Sequence, residues 1–320
     1  MTRKQRVLNA INHQPVDHVP AYFTTHFTKD KHFDQPAVEE HLRFFDAVNP
    51  DIQKIMNENL VPNYGSIKTP ADWSCIPHLN RSAPFMQRQL DMMKRIYERM
   101  DKDAFNIGTL HGTVASTIHP IESHYGYEPV RELLCAHLRE NETPVLDAMK
   151  RIMDGMTDLA LAFIELGMDG ILYSSLGGER HYFTDEEFDK WIAPLDKQVM
   201  QAVKEAGGRV ILHMCKTNVN FDRYKSYEGL YDITNWGVYE ADLSLTKARK
   251  IFPTGAIMGG LSNHLDAVIC QGSKEEIQQE VQKIIDEAGK TGFILGTDCT
   301  IPTGVAYSQL RIATVYVKQI

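Results

Sequence analysis

The chain lacks long hydrophobic runs, and it contains few cysteines. No apolar stretch reaches the roughly 18 residues that a membrane-spanning helix requires, so we expect no membrane partner. The first residues are basic, but their apolar positions are spaced as on a helix and no small-residue cleavage site follows, which argues against a signal peptide. Five cysteines, an odd number, do not suit a disulfide framework. We therefore expect a protein of the reducing cytoplasm.

Positive charge is not in excess either. The 320 residues include 34 Lys and Arg against 42 Asp and Glu, a net charge of −8, which excludes nucleic-acid binding through phosphate neutralisation. Apolar residues make up 43% and charged residues 24%, so the chain is neither disordered nor of low complexity. The 13 histidines favour a metal or acid–base site for a small-molecule substrate. Both a monomer and a homodimer are compatible with this composition.

Eight short apolar runs alternate with longer amphipathic segments. We interpret the runs as strands, at Val19–Phe23, Ile52–Met56, Phe105–Leu110, Gly170–Tyr173, Val210–Met214, Ile233–Trp236, Ala256–Leu261 and Phe293–Gly296. Eight βαβ units predict an α/β fold, a single (β/α)8 TIM barrel domain over residues 1–320 with an N-terminal helical extension. The alternative is an open doubly wound sheet, but no G-x-G-x-x-G follows a strand.

Sequence signals also mark several connections between the strands. Helices are predicted at Thr2–Ile11, Pro144–Leu166, Thr184–Ala206 and Ser273–Ala288. Three of them begin with Ser or Thr three residues before Gln or Glu, as in a capping box. The proline-containing stretch Pro62–Pro84 predicts an irregular excursion after the second strand, and we expect it to cover the active site.

Polar residues collect just after the predicted strands. In a TIM barrel the catalytic side chains lie at the carboxyl ends of the strands. The residues found there are Asn57, Glu58, His111, Ser174, Ser175, His213, Cys215, Glu240, Asp242, Asn263, His264, Asp298 and Cys299. Because this set is rich in metal ligands and acid–base groups, it predicts an active site at that end.

The most specific feature is the pair His213 and Cys215. Two residues apart on a strand, they share a face, and imidazole nitrogen and thiolate sulfur are ligands that zinc prefers. Cys299 follows the eighth strand and can reach them across a narrow barrel mouth. Three protein ligands leave an open fourth position, which is typical of a catalytic zinc. The alternative is core packing, in which cysteine acts as a small apolar residue. Structural roles are expected for the other cysteines, Cys75, Cys135 and Cys270.

Further side chains at the strand ends are candidates for particular roles. Glu240 is a candidate fourth zinc ligand, and Asp298 is a candidate acceptor for the second ring N–H of His213. Tyr173 and His111 are candidate catalytic residues that reach the pocket. The substrate-binding candidates are Ser174, Asn57, Glu58, Lys216 and Asn263. For these side chains, packing, capping or simple exposure is the alternative.

Several segments carry a resemblance to a known family. They are Thr2–Pro20 (TRKQRVLNAINHQPVDHVP), Gly167–Tyr173 (GMDGILY), Val210–Cys215 (VILHMC), Asp242–Arg249 (DLSLTKAR), Met258–Leu261 (MGGL) and Gly292–Pro302 (GFILGTDCTIP). On these segments, which span nearly the whole chain, it resembles the uroporphyrinogen decarboxylase-like superfamily. That superfamily contains uroporphyrinogen decarboxylase itself and zinc-dependent corrinoid and thiol methyltransferases. The resemblance implies a single (β/α)8 barrel.

Individual residues favour the methyltransferase branch. The decarboxylases carry an arginine-rich segment after the first strand that grips substrate carboxylates, whereas Ala21–Asp30 contains no arginine. They also carry a histidine after the last strand, near the place where this chain has Cys299. The methyltransferases carry His-x-Cys after the fifth strand and Cys after the eighth. His213, Cys215 and Cys299 match that pattern.

The resemblance implies a zinc enzyme that moves a methyl group between a corrinoid protein and a zinc-activated thiol or small methylated substrate. Two departures concern the substrate: Lys216 stands where the methyltransferases usually have glycine, and Asp298 stands where glycine often precedes the last cysteine. One alternative is a metal-free decarboxylase of a tetrapyrrole or related carboxylate, with Asp51 or Glu58 as its carboxylate. Another is a non-catalytic barrel that binds a metal or a corrinoid partner.

Overall fold

The structure, a computed structural model, describes residues 1–320 and contains a closed barrel of eight parallel strands. The strands are β1 (Ala21–Tyr22), β2 (Ile52–Ile55), β3 (Phe105–His111), β4 (Gly170–Ser175), β5 (Arg209–Met214), β6 (Ile233–Trp236), β7 (Ala256–Leu261) and β8 (Phe293–Thr297). Each strand pairs with its sequence neighbours, and β1 also pairs with β8 through Ala21 and Leu295. The predicted TIM barrel is therefore confirmed. An open sheet is excluded, because it would leave two unpaired edges.

Helices surround this barrel. They are α1 (Arg3–Ile11), α2 (Asp34–Val48), α3 (Pro84–Tyr97), α4 (Thr113–Tyr125), α5 (Tyr127–Glu140), α6 (Glu142–Leu166), α7 (Asp185–Glu187), α8 (Ala193–Glu205), α9 (Leu245–Ile251), α10 (Val268–Gln271), α11 (Lys274–Ala288) and α12 (Tyr307–Tyr316). The hydroxyls of Thr2 and Ser273 accept hydrogen bonds from the third backbone N–H of α1 and α11, as the capping pattern predicts. None of the helices is both long and apolar enough to cross a membrane.

The helix predicted at Thr184–Ala206 is interrupted. Its capping box forms, but α7 gives way to a π-helical turn, Phe188–Ile192, before α8 begins. Pro194 lies in the first turn of α8 and has no N–H to donate to the carbonyl four residues earlier. A local change of hydrogen-bond register accommodates that missing donor.

Two hydrophobic layers hold the barrel together. The larger lies between strands and helices. The smaller fills the barrel interior, and α1 completes it by packing Val7, Ala10 and Ile11 against inward side chains such as Ile52 and Phe105. The backbone N–H of Lys4 donates to Asp103, just before β3, so α1 lies at the amino-terminal end of the strands. The opposite, carboxyl end is left as the mouth, where the predicted site residues lie.

The excursion Pro62–Pro84 does not cover the mouth, contrary to expectation. It forms a short 3₁₀ turn, Pro70–Cys75, and packs on the outer helices, where the Trp73 indole N–H donates to His137. The Tyr125 hydroxyl donates to the carbonyl of Ile67. Since α4 to α6 lie outside the barrel, this segment forms an additional outer layer on those helices. It does not cover the barrel mouth.

Candidate active site

His213, Cys215 and Cys299 come together at the barrel mouth. One ligand atom of each lies within 4.8 Å of the others, and His213 Nε2 lies 3.5 Å from Cys299 Sγ. Zn–N bonds of 2.0–2.1 Å and Zn–S bonds of 2.3 Å place tetrahedral N and S ligands about 3.6 Å apart. Both the chemistry and the spacing of these three donors therefore fit zinc, and they leave a fourth position for another ligand.

The orientation of the imidazole is set by Asn235. This residue is the register partner of His213 on β6, and its Oδ1 lies 2.5 Å from His213 Nδ1. The Asn235 amide NH₂ donates to the carbonyls of Met258 and Thr297, at 3.0 and 3.2 Å, which turns Oδ1 toward the histidine. His213 must then donate from Nδ1, so the lone pair of Nε2 points toward the thiols.

The pKa values of the two thiols, Cys215 and Cys299, are shifted in opposite directions. A hydrogen bond from the Cys215 thiol holds the pKa of Cys299 well below its usual value. The same interaction, together with burial, raises the pKa of Cys215. The Cys299 thiol therefore ionises more readily than the Cys215 thiol, and a bound cation would favour the thiolate form of both.

A cavity of about 480 Å³ opens beside this metal-type set. His111, Glu58, Ser174 and Lys216 line it. Burial lowers the pKa of His111 to about 4, so its imidazole is neutral at pH 7. Although burial opposes ionisation, the hydrogen bond from His26 leaves the pKa of Glu58 below its ordinary value. The mouth therefore offers a carboxylate and a neutral imidazole close to the sulfur ligands.

A second cavity, of about 380 Å³, shares Cys215, Lys216 and Cys299 with the first. Glu240 and Asn263 line it. The Glu240 carboxylate lies 3.1 Å from His264 Nε2, and it is not among the three side chains whose ligand atoms cluster. Glu240 thus lies near the predicted zinc position without joining the ligand set in this conformation.

Lys216 has an unusual backbone. Its φ is +81°, in the left-handed region that glycine adopts without strain. The glycine that the resemblance leads us to expect at this position would adopt the turn after β5 without strain. In this chain a lysine adopts the strained conformation. Its ammonium lies 4.6 Å from the centre of the Tyr127 ring, a cation–π distance.

The prediction that Asp298 orients His213 is wrong. Its carboxylate accepts backbone N–H groups instead, from Tyr239 at 3.0 Å and Gly260 at 3.3 Å. Burial raises the pKa of Asp298 to about 7. Asp298 therefore ties the ends of β6, β7 and β8 together, and Asn235 takes the role assigned to it.

Neither Tyr173 nor Asn57 lines the mouth cavity. Tyr173 faces the helices, and its hydroxyl donates to buried Asp196 at 2.5 Å. Strand alternation explains this, because neighbouring Ser174 points into the cavity. The side-chain Oδ1 of Asn57 accepts from the backbone N–H of Asn59, and its NH₂ donates to the carbonyl of Thr109 on β3.

Asp51, a candidate for the decarboxylase alternative, lies at the opposite end of the barrel. It precedes β2, forms a buried ion pair with Arg6 and accepts the backbone N–H of Ala21. These contacts hold α1 against the amino-terminal end of the barrel strands. Of the two carboxylates considered for that alternative, only Glu58 reaches the mouth.

Sequence reasoning missed several residues of the mouth. Tyr22, His26, Lys54, His119 and Asn235 all line the larger cavity. The signal for Lys54 and Asn235 was present, because each stands two residues after an inward-facing isoleucine of its strand. Tyr22 belongs to a strand of two residues, in which alternation cannot be read.

The fold and the mouth together define a (β/α)8-barrel enzyme. A family model described as Uroporphyrinogen decarboxylase (URO-D) matches residues 52–320. The chain therefore belongs to the uroporphyrinogen decarboxylase family, and the resemblance seen in its sequence is confirmed. No curated protein sequence matches it.

Solved structures with similar folds include enzymes of several kinds. A methyltransferase from Methanosarcina mazei has a TM-score of 0.76 and 14% identity, with 100% of this chain and 99% of that one covered. A B12-independent methionine synthase from Shewanella sp. W3-18-1, in complex with selenomethionine, has a TM-score of 0.59 and 11% identity, covering 94% and 97%. An endo-1,4-beta-mannanase from Rhizomucor miehei has a TM-score of 0.51 and 10% identity, covering 94% of each chain. At such identities the likeness shows the fold alone.

Proposed function

We propose that this protein is a zinc-dependent methyltransferase that moves a methyl group between a corrinoid protein and a thiol or a small methylated compound. The observation that carries the proposal is the clustering of His213, Cys215 and Cys299 beside a cavity. A nitrogen and two sulfur donors form a set that suits zinc, and three donors leave room for a substrate. The similarity in fold to a methyltransferase supports the choice within the family.

Each residue of the cluster has a defined task. His213, Cys215 and Cys299 would hold the zinc, and Asn235 keeps the imidazole turned toward it. Zinc, when bound, supplies Lewis acidity that lowers the pKa of a thiol, so that the thiol reacts as a thiolate near neutral pH. The cavity walls orient the substrate toward the open fourth position, which converts an encounter into a positioned reaction. Glu240 stays a candidate for a displaceable fourth ligand.

The first test is the metal content of protein purified without chelator. We expect about one zinc per chain by elemental analysis, since all three ligands come from one chain. His213→Ala and Cys299→Ser should each lower the zinc content strongly while the circular dichroism spectrum stays native. Cys75→Ser, at an exposed cysteine of the outer excursion, is the matched control and should keep its zinc.

The outcomes separate the candidate functions. Methyl transfer from methylcobalamin to a small thiol, lost in His213→Ala, supports the proposal over a barrel that only binds a metal. Zinc-free wild-type protein would instead favour a metal-free decarboxylase, with Glu58 as its carboxylate. Full zinc retention and normal turnover in Cys299→Ser would remove Cys299 from the ligand set.

A further inference from the structure

Cys215 and Cys299 lie between the two cavities of the barrel mouth. Both side chains line the larger cavity, of about 480 Å³, and both line the smaller one, of about 380 Å³. Each of the two is partly exposed, whereas Cys135 and Cys270 are buried. Cys75 is exposed on the outer excursion and lines neither cavity. A small solute that enters the mouth therefore reaches these two sulfurs from either side.

The two sulfurs are close enough to be joined. Their Sγ atoms lie within 4.8 Å of each other, and the Cys215 thiol donates a hydrogen bond to the sulfur of Cys299. A disulfide bond is about 2.05 Å long, so the sulfurs have to approach each other by about 2.7 Å at most. Changes of side-chain rotamer about the Cα–Cβ bonds move the sulfurs over distances of that size.

The backbone at both cysteines lies beyond the ends of the strands. Cys215 follows Met214, the last residue of β5, and Cys299 lies two residues after Thr297, the last residue of β8. These strands are not neighbours in the barrel, so no ladder of hydrogen bonds joins them. A covalent bond between the two loops would therefore link different sides of the mouth without replacing any pairing of the barrel strands.

We propose that hydrogen peroxide oxidises Cys215 and Cys299 to an intramolecular disulfide, a reversible modification that dismantles the metal-ligand set. One thiolate attacks a peroxide oxygen, the O–O bond breaks, and hydroxide leaves and takes up a proton to become water, which gives a sulfenic acid. The second thiol then attacks that sulfur, the S–O bond breaks, and a second water leaves. Two thiols and one peroxide thus give one disulfide and two waters.

The disulfide and a bound zinc exclude each other. Zinc takes cysteine as a thiolate, and a disulfide contains no thiolate, so oxidation would leave His213 as the last ligand of the set. A dithiol reductant restores both thiols by exchange, and with them the site. The inference goes beyond the proposed function, because the disulfide would form whether or not the protein transfers methyl groups.

The test is treatment of the whole chain with one equivalent of hydrogen peroxide, in chelator-treated and in zinc-loaded form. We expect the metal-free protein to lose two of its five free thiols. A peptide map prepared without reductant and read by mass spectrometry should contain one linked pair, with Cys215 in one peptide and Cys299 in the other. Zinc uptake should fall at least tenfold and recover with dithiothreitol. The zinc-loaded form should react at least tenfold more slowly.

Cys75→Ser is the matched control and should form the same link. Cys215→Ser and Cys299→Ser should form none, and dimedone should trap the remaining thiol of each as a sulfenic acid. Sulfinic acid on single cysteines, or a link that includes Cys75, would overturn the inference. Linking at an equal rate in protein that carries bound zinc would overturn it as well. A link that forms in a chain that takes up no zinc would instead contradict the proposed function alone.

Discussion

The two halves of the barrel mouth are built from different chemical groups. On the side of β5, β6 and β8, His213, Cys215 and Cys299 present one nitrogen and two sulfurs. On the side of β1, β2 and β3, the mouth presents an ammonium, a carboxylate, a phenol and imidazoles, including those of Lys54 and Glu58. The first half suits a soft cation, whereas the second suits charged or oxygen-containing groups.

The halves also differ in how completely their polar groups are satisfied. Asn235 uses its oxygen and its NH₂ group within the protein, so the histidine it orients is already in place for a metal. Across the cavity, Cys299 and Glu58 attract the Lys54 ammonium, but neither forms an ion pair or hydrogen bond with it. The first half therefore has its polar groups paired within the protein, whereas the second half leaves the Lys54 ammonium without a hydrogen-bond partner.

We expect the largest effect from removing the Asn235 side chain, which orients His213 in the half of the mouth formed by β5, β6 and β8. Asn235→Ala leaves the His213 Nδ1 proton without an acceptor, so we expect zinc affinity to fall about 10- to 100-fold, as for other residues that orient metal ligands. Competition with a chromogenic chelator measures the change, and Asn12→Ala, just after the remote α1, is the control. Unchanged affinity would show that the imidazole is held by something other than this amide.

Lys54→Met tests the opposite half through stability. Burial depresses the pKa of Lys54 from 10.5 to about 8, so the unfolded chain holds the proton more tightly and the charged lysine disfavours folding at pH 7. Without ligand, we expect the variant to be more stable by about 1–3 kcal/mol in urea denaturation. The wild-type protein should approach it as pH rises from about 8 to 10.5. A destabilised variant would mean that the ammonium has a partner in the folded protein.

Tyr173→Phe tests whether strand alternation assigns residues to the mouth correctly. The substitution removes one of the hydrogen bonds to buried Asp196, which still accepts from Thr113 and Tyr227. We expect a loss of about 1–2 kcal/mol in the free energy of unfolding, with unchanged zinc content and turnover. Reduced turnover at an unchanged free energy of unfolding would instead indicate that Tyr173 acts in the active site.

The smallest expected effect is at Lys216. Comparing Lys216→Gly with Lys216→Ala isolates the left-handed backbone, since both remove the ammonium from Tyr127. We expect the glycine variant to be the more stable of the two by about 1 kcal/mol, from the relief of strain. Equal stabilities would indicate that the turn after β5 relaxes when the side chain is shortened.

The strands and the metal ligands could be read from the sequence because both are local patterns. All eight predicted strands occur in the barrel, since short apolar runs between amphipathic helices have few other ways to bury their surface. His213 and Cys215 share a face by strand alternation alone. Because all barrel strands are parallel, a residue at the carboxyl end of another strand lies at the same mouth. The clustering of Cys299 with them follows from that topology.

The tertiary structure decided which neighbours each side chain meets. Asp298 and Asn235 are both polar residues at strand ends, but only the register of β5 against β6 brings the amide to His213, while Asp298 faces the backbone of the loops. Alternation along β2 places Lys54 on the inward face, but only closure of the barrel brings it to the same cavity as His213 and Cys299. Local sequence thus determined the elements and the ligand types. The pairing of side chains from strands far apart in the chain, and therefore which polar groups are satisfied and which await a ligand, depends on barrel closure and register.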